Sequence, residues 1–343
     1  MRKFLLQIFI FLTPFILFLI LEALMPPTFF TFRVWEALSF RFSAYSGSPF
    51  YLNQKTTTNS VGDLCHHTSK AVQKKEYWTT DKLGYRNDEY IDQADVLFIG
   101  DSFIAGSSLN QDETISNQLK YKLNNTRKIY NLAPSTFSQF EYYLKTGVIK
   151  KPKVVIFSIV ERNVPPPIYA IKDNPLRAEI VNILKYGQMN MYVDRALKLY
   201  SLHWLQARIN GLNGIGIQAV GDSTMYFKEG KLQKHSKRDL DTEISVIKSY
   251  KDYCDSNGIL FIFMPMPDKE TVYYELVPFK KQPNYLLLLD SLLHIHNIAT
   301  INTLRIYNDY RKKNRNLLYH TDDTHWNVNA TKLMATEIAK QIK

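Results

Sequence analysis

From Asp95 to the C-terminus, short apolar runs of strand length alternate with segments of helical periodicity. Continuous apolar runs of this length, bounded by turn residues such as Gly100, are typical of strands buried on both faces. Strands that alternate with helices favour a parallel sheet with helices on both sides. The sequence therefore predicts an α/β fold with three layers. The predicted strands are residues 96–99, 129–132, 154–160 and 259–263.

Helical periodicity is clearest in two of the intervening segments. A helix that begins near Asp112 places Ile115, Leu119 and Leu123 on one face. The last helix begins near Asn327, and its predicted inner face has four apolar residues: Ala330, Met334, Ile338 and Ile342.

Residues 164 to about 238 interrupt the alternation of strands and helices. The prolines from Pro165 to Pro167 open a stretch of mixed helical character, and Thr224 to Phe227 followed by Gly230 predict a hairpin. We interpret this segment as an insertion that would cap the carboxyl end of the sheet.

The N-terminus contains an apolar run from Phe4 to about Met25, preceded by Arg2 and Lys3. About 20 apolar residues suffice to span a membrane as a helix. The run is longer than the core of a cleaved signal peptide and is not followed by a typical small-residue cleavage site. A buried core helix is the other alternative, but such helices are seldom apolar on every face. We therefore predict an uncleaved signal anchor over residues 1–25.

The position of Arg2 and Lys3 predicts the orientation of this anchor. Basic residues before a span stay in the cytoplasm, which places everything after residue 25 outside. The expected location is single-pass in the cytoplasmic (inner) membrane, with an extracytoplasmic or periplasmic domain. Residues 26–80 are predicted to be a membrane-proximal segment and linker, because much of this stretch is polar and without periodicity. The domain itself is predicted over residues 81–343.

The net charge of +11 is spread along the chain rather than concentrated in one tail. A solvated surface explains such a distribution, and attraction to anionic lipid headgroups or to an acidic glycan is the alternative. Nucleic acid is not an expected partner for a domain outside the membrane.

Two cysteines, Cys65 and Cys254, are too few for a disulfide framework. One bridge and two free buried thiols both remain open. The adjacent His66 and His67 lack the spacing of a metal site, so no metal is predicted there.

Ser102 is the first candidate catalytic residue. The predicted strand 96–99 leads directly into Gly100-Asp101-Ser102, so the serine hydroxyl is expected at the carboxyl end of the sheet. Ligands bind at that edge in open α/β sheets. Neighbouring backbone N–H groups at a strand-to-helix turn would point toward a developing oxyanion.

His325 is the second candidate, in the segment from Thr321 to Asn327 just before the last helix. A serine hydroxyl needs a base to become a nucleophile, and histidine serves near neutral pH. A carboxylate must orient the imidazole, and both Asp322 and Asp323 are near enough in sequence. A helix N-terminus capped by these polar residues is the structural alternative.

These residues resemble the SGNH (GDSL) hydrolases, from about Gly84 to the end of the chain. The shared features are Asp101-Ser102 after an early strand, the phrase 83–87 before it, and an aspartate close before His325. Three further phrases resemble the AlgX/AlgJ branch, which places acetyl groups on exported polysaccharide: Glu161-Arg162, 267–273 and 323–327. The resemblance implies an SGNH-type, flavodoxin-like α/β/α fold. It also favours Asp323 over Asp322 as the acid, because Asp-Thr-His-Trp is the closer phrase.

The chain departs from the family at the oxyanion donors. In the alginate proteins the Asp-x-His phrase precedes the serine, whereas here it follows. The second block lacks the usual glycine donors; Ala133 can offer its N–H and Pro134 cannot. Near the usual asparagine stands Glu161-Arg162, so Arg162 is the first candidate donor or substrate contact, and the following Asn163 is the second. A buried ion pair between Glu161 and Arg162 is the alternative.

The resemblance implies that Ser102 attacks an acyl ester, with acetyl as the expected acyl group, to form an acyl-serine. No metal or diffusible cofactor is expected. The leading expectation is an O-acetyltransferase that acts on a cell-surface or exported polysaccharide. A carbohydrate acetyl-esterase or lipase-like hydrolase, and a catalytically idle scaffold in envelope polysaccharide assembly, remain the alternatives. A transferase outside the membrane would need a multispanning membrane O-acyltransferase as its acyl donor.

Overall fold

The computed structural model describes residues 1–40, 48–66, 68–163, 188–209, 216–228, 236–278 and 281–342. They belong to two compact units. One comprises Met1–Tyr51 with Lys172–Leu212, and the other comprises Leu52–Ile171 with Asn213–Lys343.

The described helices and strands are numbered in chain order. The helices are α1 (Arg2–Leu24), α2 (Val34–Leu38), α3 (Ser102–Ala105), α4 (Ile115–Lys122), α5 (Phe137–Lys145), α6 (Gln188–Lys198), α7 (Tyr200–Ile209), α8 (Lys237–Ser256), α9 (Lys269–Val272), α10 (Tyr285–Ile295), α11 (Thr303–Lys313) and α12 (Val328–Gln341). The strands are β1 (Lys55–Ser60), β2 (Lys74–Thr79), β3 (Val96–Ile99), β4 (Ile129–Asn131), β5 (Val154–Phe157), β6 (Ile217–Ala219), β7 (Asp222–Phe227), β8 (Leu260–Phe263) and β9 (Ala299–Thr300).

The second unit is built on a five-stranded sheet with the order β4-β3-β5-β8-β9. Every neighbouring pair is parallel. This is the doubly wound, flavodoxin-like order, in which the chain changes direction between β3 and β5. The predicted α/β fold with a parallel sheet is confirmed. The predicted strand 154–160 ends earlier, at Phe157, and Val160 adds a single parallel bridge to Met266.

The core lies on both faces of this sheet. All residues of β3, β4 and β5 are buried, which explains why these strands are continuous apolar runs rather than alternating ones. The predicted inner face of α12 is confirmed, because Ala330, Met334 and Ile338 are buried. Ile115 and Leu119 of α4 are buried in the same way.

An antiparallel hairpin, β1–β2, precedes the sheet and pairs Lys55 with Thr79. Leu52–Ile171 belongs to the second unit, so the linker predicted over 26–80 does not describe residues 55–79. The strand β1 reads Lys-Thr-Thr-Thr-Asn-Ser and is buried only at Ser60. Its strand character comes from β-branched threonines rather than from an apolar pattern, which is why it resembled a linker.

The first unit contains α1, α2, α6 and α7. The helix α1 has a mean hydropathy of 2.7 and none of its most apolar stretch is buried, so its length and composition suffice to cross a membrane. Membrane anchors and signal segments share this length and composition. Within the predicted insertion 164–238, the described elements are α6 and α7, which belong to the first unit, and the β6–β7 hairpin, which belongs to the second. Residues 164–187, 210–215 and 229–235 lie outside the described residues.

Cys65 and Cys254 are both buried and both free. Of the two alternatives from the sequence, the structure has two free buried thiols.

Candidate active site

Ser102 is the first residue of α3, at the carboxyl end of β3. The sharp turn before Ser102 requires a glycine at position 100. A Cβ there would lie 2.6 Å from Ile104 Cγ1 and 2.8 Å from Ser158 O. The Asp101 carboxylate accepts hydrogen bonds from the backbone N–H groups of Phe103 (2.9 Å) and Val160 (3.0 Å). Asp101 therefore caps α3 and ties the turn to the end of β5, which fixes the direction of the serine side chain.

His325 joins Ser102 to Asp323. His325 Nε2 lies 2.8 Å from Ser102 Oγ, and His325 Nδ1 lies 2.6 Å from Asp323 Oδ1. The backbone N–H of His325 also donates to Asp323 Oδ1, at 2.8 Å. With an ionised Asp323, Nδ1 donates its proton to the carboxylate and Nε2 accepts from the serine hydroxyl. This is the hydrogen-bond arrangement that activates a serine nucleophile.

Asp323 is fully buried, and its second oxygen is also satisfied. Ser108 Oγ donates to Asp323 Oδ2 at 2.5 Å, and the backbone N–H of Asp63 donates to the same atom at 3.1 Å. Burial opposes the negative charge, but the neighbouring His325 and its hydrogen bond hold the pKa of Asp323 well below its usual value. Asp323 therefore remains ionised over the range in which a histidine base works.

Asp322 has a different role. Its Oδ2 accepts from the backbone N–H groups of Gly62 (2.9 Å) and Val72 (3.0 Å), and its Oδ1 accepts from Lys74 Nζ (2.9 Å). A Cβ on Gly62 would lie 2.0 Å from Asp322 O, so only glycine fits there. Asp322 thus holds the segment between β1 and β2, and the structure places Asp323 beside the imidazole.

Lys269 anchors the loop that carries the acid and the base. Its Nζ lies 2.6 Å from the carbonyl oxygens of Tyr226 and His320, 2.9 Å from that of Thr321 and 3.1 Å from that of Asp323. Burial lowers the pKa of Lys269 to about 8, although nearby carboxylates, Asp323 first among them, oppose the shift. The contacts of Lys269 with four carbonyl oxygens support the loop and do not involve Ser102.

Arg86, from the phrase before the serine strand, supports Ser108. Its guanidinium stacks on Trp78 at 3.9 Å and donates to the carbonyls of Leu109 (2.8 Å) and Gly106. Ser108 adopts a left-handed backbone conformation between these two anchored residues, with a φ of 63°. The buried Arg86 therefore stabilises the turn that places the Ser108 hydroxyl against Asp323.

The predicted oxyanion donor Ala133 is not available. Its backbone N–H donates to the side-chain Oδ1 of Asn131 at 3.0 Å, within its own turn. The prediction that Ala133 helps to bind the oxyanion is therefore wrong. Ser135 lies next along this turn, and its N–H donates to Gly100 O at 2.9 Å. Among the described residues, the buried Ser135 hydroxyl has no hydrogen-bond partner.

Arg162 lies beside the serine turn, with its guanidinium 5.7 Å from the ring of Phe103. It forms an ion pair with Asp268. The Glu161 carboxylate instead accepts from the backbone N–H of Asp268, at 3.0 Å. Burial, together with the charge of Asp268, raises the pKa of Glu161 to about 8. The acidic partner of Arg162 is thus Asp268 rather than Glu161.

One group of side chains among the described residues has the spacing of a metal site: Asp63, Asp323 and His325. The last two belong to the hydrogen-bonded chain from Ser102. Both oxygens of Asp63 accept from Thr324, from its N–H at 2.9 Å and from its hydroxyl at 2.7 Å. Hydrogen bonds therefore explain the close approach of these groups. Asp63, Ser108 and Lys74 were missed in the sequence because their partners lie more than 200 residues away.

The comparison with protein families agrees with this geometry. Residues 221–343 are similar to the SGNH hydrolase-like domain of the acetyltransferase AlgX. The AlgX-type match includes Lys269, Asp323 and His325, whereas Ser102 lies before it. It confirms the resemblance to the SGNH hydrolases and, with the sheet order, the predicted SGNH-type fold. No curated protein sequence matches the chain.

Three solved structures are similar to the chain at low sequence identity. A GDSL-like lipase from Bacteroides thetaiotaomicron has 13% identity and a TM-score of 0.34, covering 73% of this chain and 87% of its own. A putative lipolytic protein of the G-D-S-L family from Desulfitobacterium hafniense has 15% identity and a TM-score of 0.35, and the match covers 74% of the present chain and 100% of that protein. A putative acylhydrolase from Bacteroides fragilis has 14% identity and a TM-score of 0.34, covering 73% and 86%.

Proposed function

We propose that the protein is a membrane-anchored, extracytoplasmic serine O-acetyltransferase that acts on a polysaccharide. The observation that carries the catalytic part is the 2.8 Å contact between Ser102 Oγ and His325 Nε2, with Asp323 on the far side of the imidazole. A scaffold would have no physical need for these three groups in this order.

The reaction proceeds in two halves. His325 accepts the proton of Ser102 Oγ while the oxygen attacks the acyl carbonyl, and the resulting imidazolium is stabilised by the buried Asp323 carboxylate. His325 then donates that proton to the leaving oxygen, which leaves the acyl group on Ser102. In the second half, His325 takes a proton from a sugar hydroxyl while that oxygen attacks the acyl-serine. The imidazolium then returns the proton to Ser102 Oγ as the Ser102–acyl bond breaks, which releases the acylated sugar and the free enzyme.

The negative charge on the tetrahedral intermediate needs donors at the carboxyl end of β3. The backbone N–H of Ser102 is the first candidate, because Ser102 is the first residue of α3. The Ser135 hydroxyl is the second, because it is buried with no hydrogen-bond partner in the described part of the chain and its backbone N–H donates to Gly100 O. Arg162 is a candidate contact for the substrate, since Asp268 holds its guanidinium near the ring of Phe103.

Transfer to sugar is preferred over hydrolysis for two reasons. Residues 221–343 are similar to a domain of an acetyltransferase. The helix α1 has the length and composition of a membrane anchor, which would keep the domain near a multispanning membrane protein that delivers the acetyl group. Acetyl-coenzyme A is cytoplasmic, so an enzyme outside the membrane requires such a donor. An esterase would not.

The test uses the full chain in detergent, with p-nitrophenyl acetate as donor and a panel of neutral and acidic oligosaccharides as acceptors. Nitrophenol release and acetylated sugar are measured together, and Ser102→Ala provides the control. Acetyl on sugar that disappears in Ser102→Ala supports the transferase. Release to water that no sugar affects would identify an esterase. Equal rates in both proteins, with equal melting temperatures, would leave only the scaffold.

A further inference from the structure

The first compact unit exposes an apolar stripe on α7. Leu202, Leu205 and Ile209 are 47%, 47% and 75% exposed. Their spacing of three and four residues places them on one face of the helix. The opposite face, with Trp204 and Ala207, is more buried. Exposed apolar side chains that form a continuous stripe mark a surface that contacts another apolar phase.

A contact between α7 and α1 fixes the depth of this stripe. Glu22, near the end of α1 at Leu24, is only 5% exposed. Its carboxylate accepts from the Ser201 backbone N–H at 3.1 Å and from the Ser201 hydroxyl. Both bonds go to Oε1, and the buried Oε2 has no hydrogen-bond partner among the described residues. A carboxylate next to an apolar span is stabilised where polar groups contact it, and Ser201 supplies that contact for one oxygen. The first turn of α7 therefore lies at the level of the C-terminal end of α1.

The charged residues near the stripe are compatible with binding to an anionic membrane surface. The helix α7 contains no acidic residue, and the only acidic residue of α6, Asp194, is 1% exposed and accepts from Tyr51. Arg208 places its guanidinium 5.1 Å from the Trp204 ring, at the border of the stripe. An apolar stripe with a basic residue at its border and no acidic residue on the same helix is typical of a helix that lies in a membrane interface.

We propose that α7 lies in the extracytoplasmic interface of the bilayer beside α1, with Leu202, Leu205 and Ile209 among the acyl chains and Arg208 near the lipid phosphates. The bilayer is the favoured occupant because α1, which is bonded to α7 through Glu22, must itself be surrounded by lipid. This inference rests on the proposed membrane anchor. It adds that the first unit contacts the membrane through a second helix as well as through its span.

The test uses full-length protein in which Cys65 and Cys254 are replaced, reconstituted into phosphatidylcholine vesicles that contain phosphatidylglycerol. Single cysteines carry a nitroxide label at three positions: Leu205→Cys on the stripe, His203→Cys on an exposed site of the same helix outside it, and Phe11→Cys in α1. Power saturation compares collisions of each label with oxygen, which partitions into lipid, and with a water-soluble nickel complex.

We expect the oxygen-to-nickel collision ratio at residue 205 to be several-fold higher than at residue 203 and close to that at residue 11. Equal ratios at residues 205 and 203, with a lipid-exposed residue 11, would overturn the proposal and leave the anchor intact. A label at residue 205 that is shielded from both reagents would assign the stripe to a second copy of the chain, and would also overturn it. A residue 11 label that collides mainly with nickel would refute the anchor itself.

Discussion

Asp63 and Thr324 lie 261 residues apart in the sequence, and the Asp63 carboxylate accepts hydrogen bonds from both the backbone N–H and the hydroxyl of Thr324. Thr324 stands between Asp323 and His325, the candidate acid and base. In return, the Asp63 backbone N–H donates to Asp323. The segment between β1 and β2 is therefore a structural part of the catalytic loop, and it constrains both residues at once.

The roles of Asp323 and Asp322 are separated by matched substitutions. Asp323→Asn should lower kcat by about 10³- to 10⁴-fold, because the amide cannot hold the imidazole in the required tautomer. Asp322→Asn should lower the free energy of unfolding by about 3 kcal/mol, since it breaks a buried ion pair with Lys74. Ester hydrolysis and urea unfolding of the full chain in detergent measure both effects. A larger loss of kcat in Asp322→Asn would reverse the assignment.

Ser108→Ala removes the hydroxyl that donates to Asp323 Oδ2 at 2.5 Å. A hydrogen bond to a charged group contributes about 2 kcal/mol. If about 1.4 kcal/mol of this is lost in the transition state, kcat falls about tenfold. The neighbouring Ser107→Ala is the matched control and should keep the wild-type kcat. Equal rates in both variants would show that Ser108 does not influence the acid.

Lys269→Met replaces a buried ammonium that contacts four carbonyl oxygens with an apolar chain of similar length. The carbonyls left without a donor should lower the free energy of unfolding by about 3 kcal/mol or more. Urea unfolding monitored by tryptophan fluorescence measures the change. Lys332, which is exposed on α12, provides the control, and its change to Met should alter stability by less than about 0.5 kcal/mol. Similar stabilities for the two variants would contradict the anchoring role.

The buried His320 should make the free energy of unfolding depend on pH. Burial, with the positive charge of Lys74, lowers the pKa of His320 to about 3 from 6.5 in the unfolded chain. Between these values the unfolded state binds more protons than the folded state, so stability falls as the pH falls. The loss from pH 7 to pH 5 should be about 2 kcal/mol from this group.

The His320→Gln variant isolates the contribution of this histidine. Since glutamine does not titrate, the variant should lose about 2 kcal/mol less than the wild type over the same pH range. Urea unfolding at pH 7 and pH 5 makes the comparison. An identical pH dependence in the two proteins would place the acid sensitivity elsewhere.

Local sequence patterns predicted much of the fold and part of the site. The buried strands are continuous apolar runs, and the turn at Gly100 and the aspartates before His325 are readable within a few residues. Asp322 and Asp323 are adjacent, so the residues alone left the acid open. Their different partners, Gly62 and Lys74 on one side and His325 on the other, appear only in three dimensions.

The remainder of the site depends on contacts that no local pattern encodes. The strand β1 is polar and buried only at its last residue, so nothing marked it as the neighbour of a catalytic loop. The loss of Ala133 as a donor comes from the side chain of Asn131, two residues earlier, whose orientation the sequence does not specify. In the first case, Asp63 after β1 supports the loop of His325 by bonding Thr324. In the second, the Asn131 side chain occupies the N–H that was expected to bind the oxyanion.

Identification of the acylated residue tests directly whether Ser102 is the nucleophile and His325 its base. The full chain is incubated briefly with p-nitrophenyl acetate, quenched in acid, digested and analysed by mass spectrometry. We expect one acetyl group on Ser102, which is absent in Ser102→Ala and which accumulates much more slowly in His325→Ala. An unmodified Ser102 in a protein that still consumes the ester, or the same modification rate in His325→Ala, would contradict it.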